Sequence, residues 1–161
     1  LERIEISTLT HLLDRLGVNY IIAGGYPRDI FFGKIPKDCD IFVDDLDRIT
    51  RQLDMMGISN QQFPSYIAED VVTHTSRISG VTKLDNNIDI IGMSFLALHP
   101  LDQVMKYFDY NFNQFIMINE SPIFVGDAFG TLTRTSDEPL TDLRKARMIG
   151  KAKLENWKCP D

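Results

Sequence analysis

The chain has 161 residues, 43% of them hydrophobic and 25% charged, with a formal net charge of −6. This is the make-up of a globular chain of about one domain, which excludes disordered, fibrous and disulfide-stapled classes; no apolar run approaches the ~18 residues of a membrane-spanning helix. An acidic balance also argues against a dedicated nucleic-acid module, because such modules draw affinity from neutralising phosphates and are usually basic.

In chain order, residues 1–17 predict an amphipathic helix, with Ile4, Ile6, Leu9, Leu12, Leu13 and Leu16 near helical spacing and Gly17 at the C-cap. Residues 18–23 are apolar and β-rich, a buried strand that Gly24-Gly25 breaks sharply. A short helix is expected over 26–32, with Pro27 in its tolerant first turn and Gly33 closing it. A second strand spans 38–43, and a helix over 45–56 aligns Leu46, Ile49, Leu53 and Met56 before Gly57. Residues 77–84 and 88–92 form two strands around an Asp85-Asn86-Asn87 turn. A helix follows over 96–107 despite Pro100, then a hairpin over 115–125 around Asn119-Glu120-Ser121-Pro122, and a last helix over 140–157. Without repeats or long linkers, this is one α+β domain over 1–161.

Cys39 and Cys159 form neither a C-x-x-C nor a Cys/His zinc pattern, which fits a reducing, cytoplasmic compartment. The sequence opens at Leu1 rather than Met, so a start or leader is expected to lie outside it, and no signal peptide is visible within it. His11, His74 and His99 have no metal-ligand spacing, and Met55, Met56 and Met105 read as core filler.

Three carboxylates carry the chemistry. Asp38 and Asp40 are two apart on one strand, so they leave one face while Cys39 points the other way into the core. Asp89 projects alone from the apolar run Ile88-Asp89-Ile90-Ile91. A bare carboxylate on a half-buried strand is costly unless paired or metal-bound. If the two strands are neighbours, the three acids converge, and hard oxygen ligands favour Mg²⁺, with Mn²⁺ as the substitute. Two such ions clamp the entering and leaving oxygens of a phosphoryl displacement. Upstream, a strand ending in Gly24-Gly25 and turning straight into a helix offers backbone N–H groups and a positive dipole end to a triphosphate. Arg28, one turn in, offers a bidentate phosphate contact.

Residues 24–40 match G-G-x-x-R-D-x-x-x-G-x-x-x-x-D-x-D at every fixed position. This stretch resembles the head domain of the DNA polymerase β-like nucleotidyltransferases, in the branch of CCA-adding enzymes and bacterial poly(A) polymerases. The resemblance implies a mixed sheet packed against helices, with an NTP as donor and an RNA 3′ end or a protein side chain as acceptor. It implies that Gly24 and Gly25 hold the triphosphate, that Arg28 and Asp29 shape the nucleotide pocket, that Asp38 and Asp40 bind both metals, and that Asp89 is the third carboxylate. Residues 107–113 are similar to the family's R-R-D-F-T-I-N segment: Asp109 and Asn113 match as nucleotide contacts, while Tyr107 and Phe108 replace the two arginines. Lys106 and Arg134 are the candidate substitutes for the lost cations. Phe108, Tyr110 and Phe112 also read as packing residues. More weakly, Asp127-Ala128-Phe129-Gly130 and Thr141-Asp142-Leu143 are similar to the family's Asp-x-x-Gly-Gly and Asp-Leu turns.

The neck motif with which longer members read the base, and the domains with which they grip tRNA, do not occur in this sequence. The last helix is the remaining candidate for an anion contact. It carries Arg144, Lys145, Arg147, Lys151 and Lys153, with Lys158 beyond, against Asp142 and Glu155, and suits either an RNA backbone, the triphosphate or a solvated face. Trp157 either stacks a base or docks the helix end on the core. The expected function is thus metal-dependent nucleotidyl transfer from an NTP. The rival is a non-catalytic nucleotide- or protein-binding regulator, or a toxin- or antitoxin-type protein, reusing the same fold.

Overall fold

A computed structural model describes residues 3–64, 67–68, 71–72, 78–94 and 96–160. The elements run α1 (Ile6–Leu16), β1 (Tyr20–Ala23), α2 (Gly25–Phe31), β2 (Cys39–Val43), α3 (Leu46–Met55), β3 (Asn60–Phe63), β4 (Ile67–Ala68), β5 (Val71–Val72), β6 (Ile78–Leu84), β7 (Ile88–Met93), α4 (Pro100–Met105), β8 (Phe115–Ile118), β9 (Ser121–Phe124) and α5 (Asp142–Leu154). Seven strands make one mixed sheet in the order β3-β6-β7-β2-β1-β8-β9, while β4 and β5 pair separately. The β2–β7 pair is parallel and the other pairs are antiparallel.

Strand alternation divides the core. Cys39, Ile41 and Val43 of β2, with Ile88 and Ile90 of β7, face Leu9 and Leu13 of α1 and Ile49 and Leu53 of α3. Phe42 and Ile91 point the other way, under Val104 of α4 and Phe108. Asp40 and Asp89 have the parity of Phe42 and Ile91 and lie two residues earlier on each strand. The acids therefore share a sheet face with apolar cover, one pleat beyond it. A third cluster joins Tyr110, Phe112 and Leu132 to Met148 and Ala152 of α5 and to Trp157.

Local chemistry sets the boundaries. Gly17 caps α1 in the left-handed region at φ 70°. The Asp45 carboxylate and the Thr141 hydroxyl accept the first-turn N–H groups of Arg48 and Arg144, starting α3 and α5. Pro100 sits at the start of α4, so the helix expected over 96–107 begins four residues late and ends at Met105. The β3 strand, Asn60–Phe63, escapes sequence reading because three of its four side chains are exposed at a sheet edge and carry no apolar alternation. Met55 is 81% exposed and Met56 is also exposed, correcting their reading as core filler. The Trp157 ring lies 5.0 Å from that of Phe112 and 5.1 Å from that of Phe129, so it docks the end of α5 on the core. His11 and His99 are exposed, and His74 lies outside the described residues. No helix among the described residues is long and apolar enough to cross a membrane.

Candidate active site

The parallel β2–β7 pairing sets Asp40 directly opposite Asp89 in register. Two carboxylates on one face of adjacent strands repel one another. Burial, then Asp89, then Asp38 push the Asp40 carboxyl up to about 7, with Lys83 pulling the other way. Burial likewise raises Asp89, which is held by the Lys83 ammonium, its neighbour across β6, at 3.1 Å from Oδ2. Asp38 immediately precedes β2 and is exposed at the lip of a cleft whose lining it shares with Asp40. Asp89 is not part of that lining. Among the described residues no three acidic, histidine or cysteine side chains form a ready-made metal cage. Behind the acids, Cys39 is buried and its thiol pKa is raised by burial, so it is the inert core thiol that the strand parity predicted.

The cleft encloses about 460 Å³ and is walled by α2, the loop after it, residues 107–113 and α5. Its far wall is a continuous polar chain. The buried Arg28 guanidinium donates to Asp29 Oδ1 from both Nε (3.0 Å) and one terminal nitrogen (2.9 Å), and to Asn113 Oδ1 from the other (2.6 Å), while lying 5.2 Å from the centre of the Phe112 ring. Asn113 Nδ2 turns to Asp109 Oδ1 at 3.5 Å, and Asp109 accepts two further bonds from Arg144 of α5, at 2.8 and 3.2 Å. All four positions singled out here by sequence (Arg28, Asp29, Asp109 and Asn113) meet in this chain.

Arg28 spends three of its five N–H donors on Asp29 and Asn113, so it orders the wall while still lining the cleft. Two expectations change. The cations proposed to replace the missing arginine pair, Lys106 and Arg134, do not line the cleft; Arg134 lies over the Tyr110 ring and donates to the Asp109 carbonyl instead. The cation on the Asp109 carboxylate is Arg144, 35 positions away in sequence, which only the docking of α5 brings there. Tyr107 and Phe108 do line the cleft, and their rings pack on Phe42, with centroids 5.0 and 6.0 Å away.

The two glycines divide their work. Gly24 has φ 86° and its N–H donates to the Phe115 carbonyl at 2.9 Å, so it is not a bare phosphate donor; Gly25 begins α2 and lines the cleft. A Cβ on Gly24 would lie 3.0 Å from the Phe108 ring, whereas one on Gly33, φ 74°, would meet nothing. Gly24→Ala is therefore expected to cost about 1–3 kcal/mol, against about 1 kcal/mol for Gly33→Ala, measured by urea denaturation. Equal losses would mean that the backbone angle alone sets the requirement and that Phe108 yields.

Against solved structures, the chain superposes on a tRNA nucleotidyltransferase complexed with a primer tRNA and an incoming ATP analog with a TM-score of 0.63 and 16% identity, over 94% of this chain and 46% of that one. The fold is that of a nucleotidyltransferase head domain. A tRNA-processing enzyme with CTP gives a TM-score of 0.62 at 16% identity over 94% and 43% of the two chains. The Thermotoga maritima CCA-adding enzyme complexed with tRNA gives 0.58 at 16% identity over 99% and 41%. The chain thus spans less than half the length of these proteins, and at such identities the likeness is one of fold. No protein-family model and no curated protein matches the chain.

Proposed function

We propose that this cleft transfers a nucleoside monophosphate from an NTP to a hydroxyl acceptor, an RNA 3′ end, releasing pyrophosphate. The observation that carries the reading is the in-register Asp40–Asp89 pair beside a cleft that also holds Asp38, Gly25 and the Arg28–Asn113–Asp109 wall. The donor set fits a divalent cation: Asp38, Asp40 and Asp89 offer hard carboxylate oxygens against the single Lys83 cation, and burial, then the two neighbouring acids, push Asp40 up to about 7. Asp38, Asp40 and Asp89 would hold Mg²⁺ or Mn²⁺, and the ion would supply Lewis-acid polarisation of the α-phosphate.

The chain's own groups do the rest. The acceptor oxygen bonds to the α-phosphorus, the α–β bridging bond breaks, and pyrophosphate leaves with that electron pair. Asp89, anchored through Oδ2 by Lys83, takes the hydroxyl proton, a task for which a raised carboxyl is suited. Asp109 and Asn113 orient the nucleoside, and Tyr107 and Phe108 give it an apolar wall.

Incubation with each labelled NTP, Mg²⁺ or Mn²⁺, and either RNA or protein tests this: label should pass to RNA, and Asp38→Ala should abolish its transfer. The Lys83–Asp89 ion pair, which engages the third carboxylate, favours one second reading, a non-catalytic nucleotide-binding regulator. Nucleotide binding with no transfer from any of the four NTPs would select it.

A further inference from the structure

A second concavity, of about 240 Å³, shares a wall with the cleft: Tyr26, Lys37 and Asp38 line both. Its other walls are the segment that leads into α1, with Arg3 and Glu5, and the turn between β6 and β7, with Asn86 and Asn87. Two hydrogen bonds fix those walls. Asn86 Nδ2 donates to the Ile4 carbonyl at 2.7 Å, tying the turn to the N-terminal segment, and the Cys39 N–H donates to the Asn87 carbonyl at 2.9 Å, tying it to the start of β2.

The acids divide between the two concavities in a way that bears on direction of approach. Asp38 and Asp40 line the cleft, and Asp89 does not. The second concavity is lined by Asp38 and by Asn87 and Ile88, the residues immediately before Asp89. In an in-line displacement the entering and leaving oxygens lie on opposite sides of the phosphorus. An NTP filling the cleft therefore leaves its acceptor to arrive from another side. The second concavity meets the cleft at Asp38 and borders the end of β7 that carries the proposed base. Charge fits a strand of nucleic acid there. Arg3 and Lys37 supply cations, and of the two acids in the lining only Glu5 is left once Asp38 holds an ion.

We propose that this second concavity receives the 3′ end of a single-stranded RNA acceptor, with Arg3 and Lys37 against its phosphates and Asn87 offering an amide to its last sugar. The inference rests on the cleft being the NTP site. It places the acceptor on the α1 side of Asp38 and not along the basic helix α5.

Fluorescence anisotropy with a 5′-labelled single-stranded RNA carrying a free 3′ hydroxyl tests it, alongside titration calorimetry with each NTP. Arg3→Glu with Asn87→Gly should weaken RNA binding about tenfold or more and leave NTP affinity as in the wild type. Glycine suits the left-handed backbone at Asn87, φ 63°, so the amide is lost without strain. Arg3→Glu alone, at an exposed position, should already weaken RNA binding, which separates the effect from any folding defect. Lys145→Glu, the same charge reversal at an exposed site on α5 outside both linings, should bind RNA as the wild type does. Unchanged RNA affinity in the double variant overturns the proposal, as does an equal loss in Lys145→Glu, a parallel loss of NTP affinity, or label passing to protein with no RNA bound by the wild type. RNA binding that depends on Arg3 and Asn87, without transfer from any NTP, would remove the transferase reading and leave this site standing. Transfer to RNA with a KM for RNA that the double variant does not change would do the reverse.

Discussion

Asp40→Asn is expected to lower nucleotidyl transfer by about 10²–10³-fold or more while making the metal-free protein more stable at pH 8. The expected loss of activity follows from the proposed reaction, in which this carboxylate would hold the cation beside the reacting phosphate. The gain in stability follows from linkage. Asp40 has its ordinary carboxyl value, 3.8, when unfolded and about 7 when folded. Between those values the native state binds the extra proton, so stability falls as pH rises through the window and the loss is complete above about 7. Three units correspond to about 4 kcal/mol, an upper figure because Asp40 remains partly open to the cleft. An amide carries no such cost, so the variant's melting temperature should fall less than the wild type's from pH 5 to 8, the rest of the slope coming from groups such as the raised Asp89, and should exceed that of the wild type at pH 8 by about 4 °C or more. Added Mg²⁺ should close that gap by stabilising the wild type and not the variant. A wild-type melting temperature that does not fall from pH 5 to 8 without metal would show that burial and the neighbouring acids do not penalise the Asp40 charge, and the cation site would lose its physical basis.

Arg144→Met should destabilise the protein by about 2–4 kcal/mol, the lower part of the range for breaking a buried ion pair because Arg144 keeps some solvent contact. The change leaves Asp109, which is 8% exposed, with one long bond from Asn113. Adding Asp109→Asn to Arg144→Met should recover at least half of the loss, since the stranded charge is gone. A urea-denaturation double-mutant cycle reads this coupling directly. Strictly additive losses would mean that the clamp contributes nothing and that contacts such as those of Met148, Ala152 and Trp157 hold α5 without it. Activity gives a separate check: if Arg144 positions Asp109, the variant should raise KM for the NTP more than it lowers kcat.

The Tyr107-Phe108 pair shows what a change in one segment demands elsewhere. With no arginines there, the positive charge beside Asp109 comes from α5. Phe108 instead packs on Phe42, and its ring lies where a Cβ on Gly24 would nearly touch it. The glycine that sequence reading associates with phosphate thus has a steric reason at one position and an open cleft position at the next. Arg28 likewise reads in sequence as a phosphate ligand and in the fold as the joint between α2 and the 109–113 segment.

The sequence by itself determined the helices and strands whose period is strong, the opposite facing of Cys39 and Asp40, and the 24–40 motif. These follow from spacing along one strand or helix, which backbone geometry fixes within a few residues. It missed β3, three of whose four side chains are polar at a sheet edge, and it extended α4 across a proline that starts the helix. Only the tertiary structure decided that β2 lies parallel to β7 with Asp40 opposite Asp89, that Lys83 holds the third carboxylate, and that Arg144 and Lys151 close the cleft. Each of these depends on which distant strand or helix docks where. That choice is made by burial summed over the whole core, and no local period encodes it.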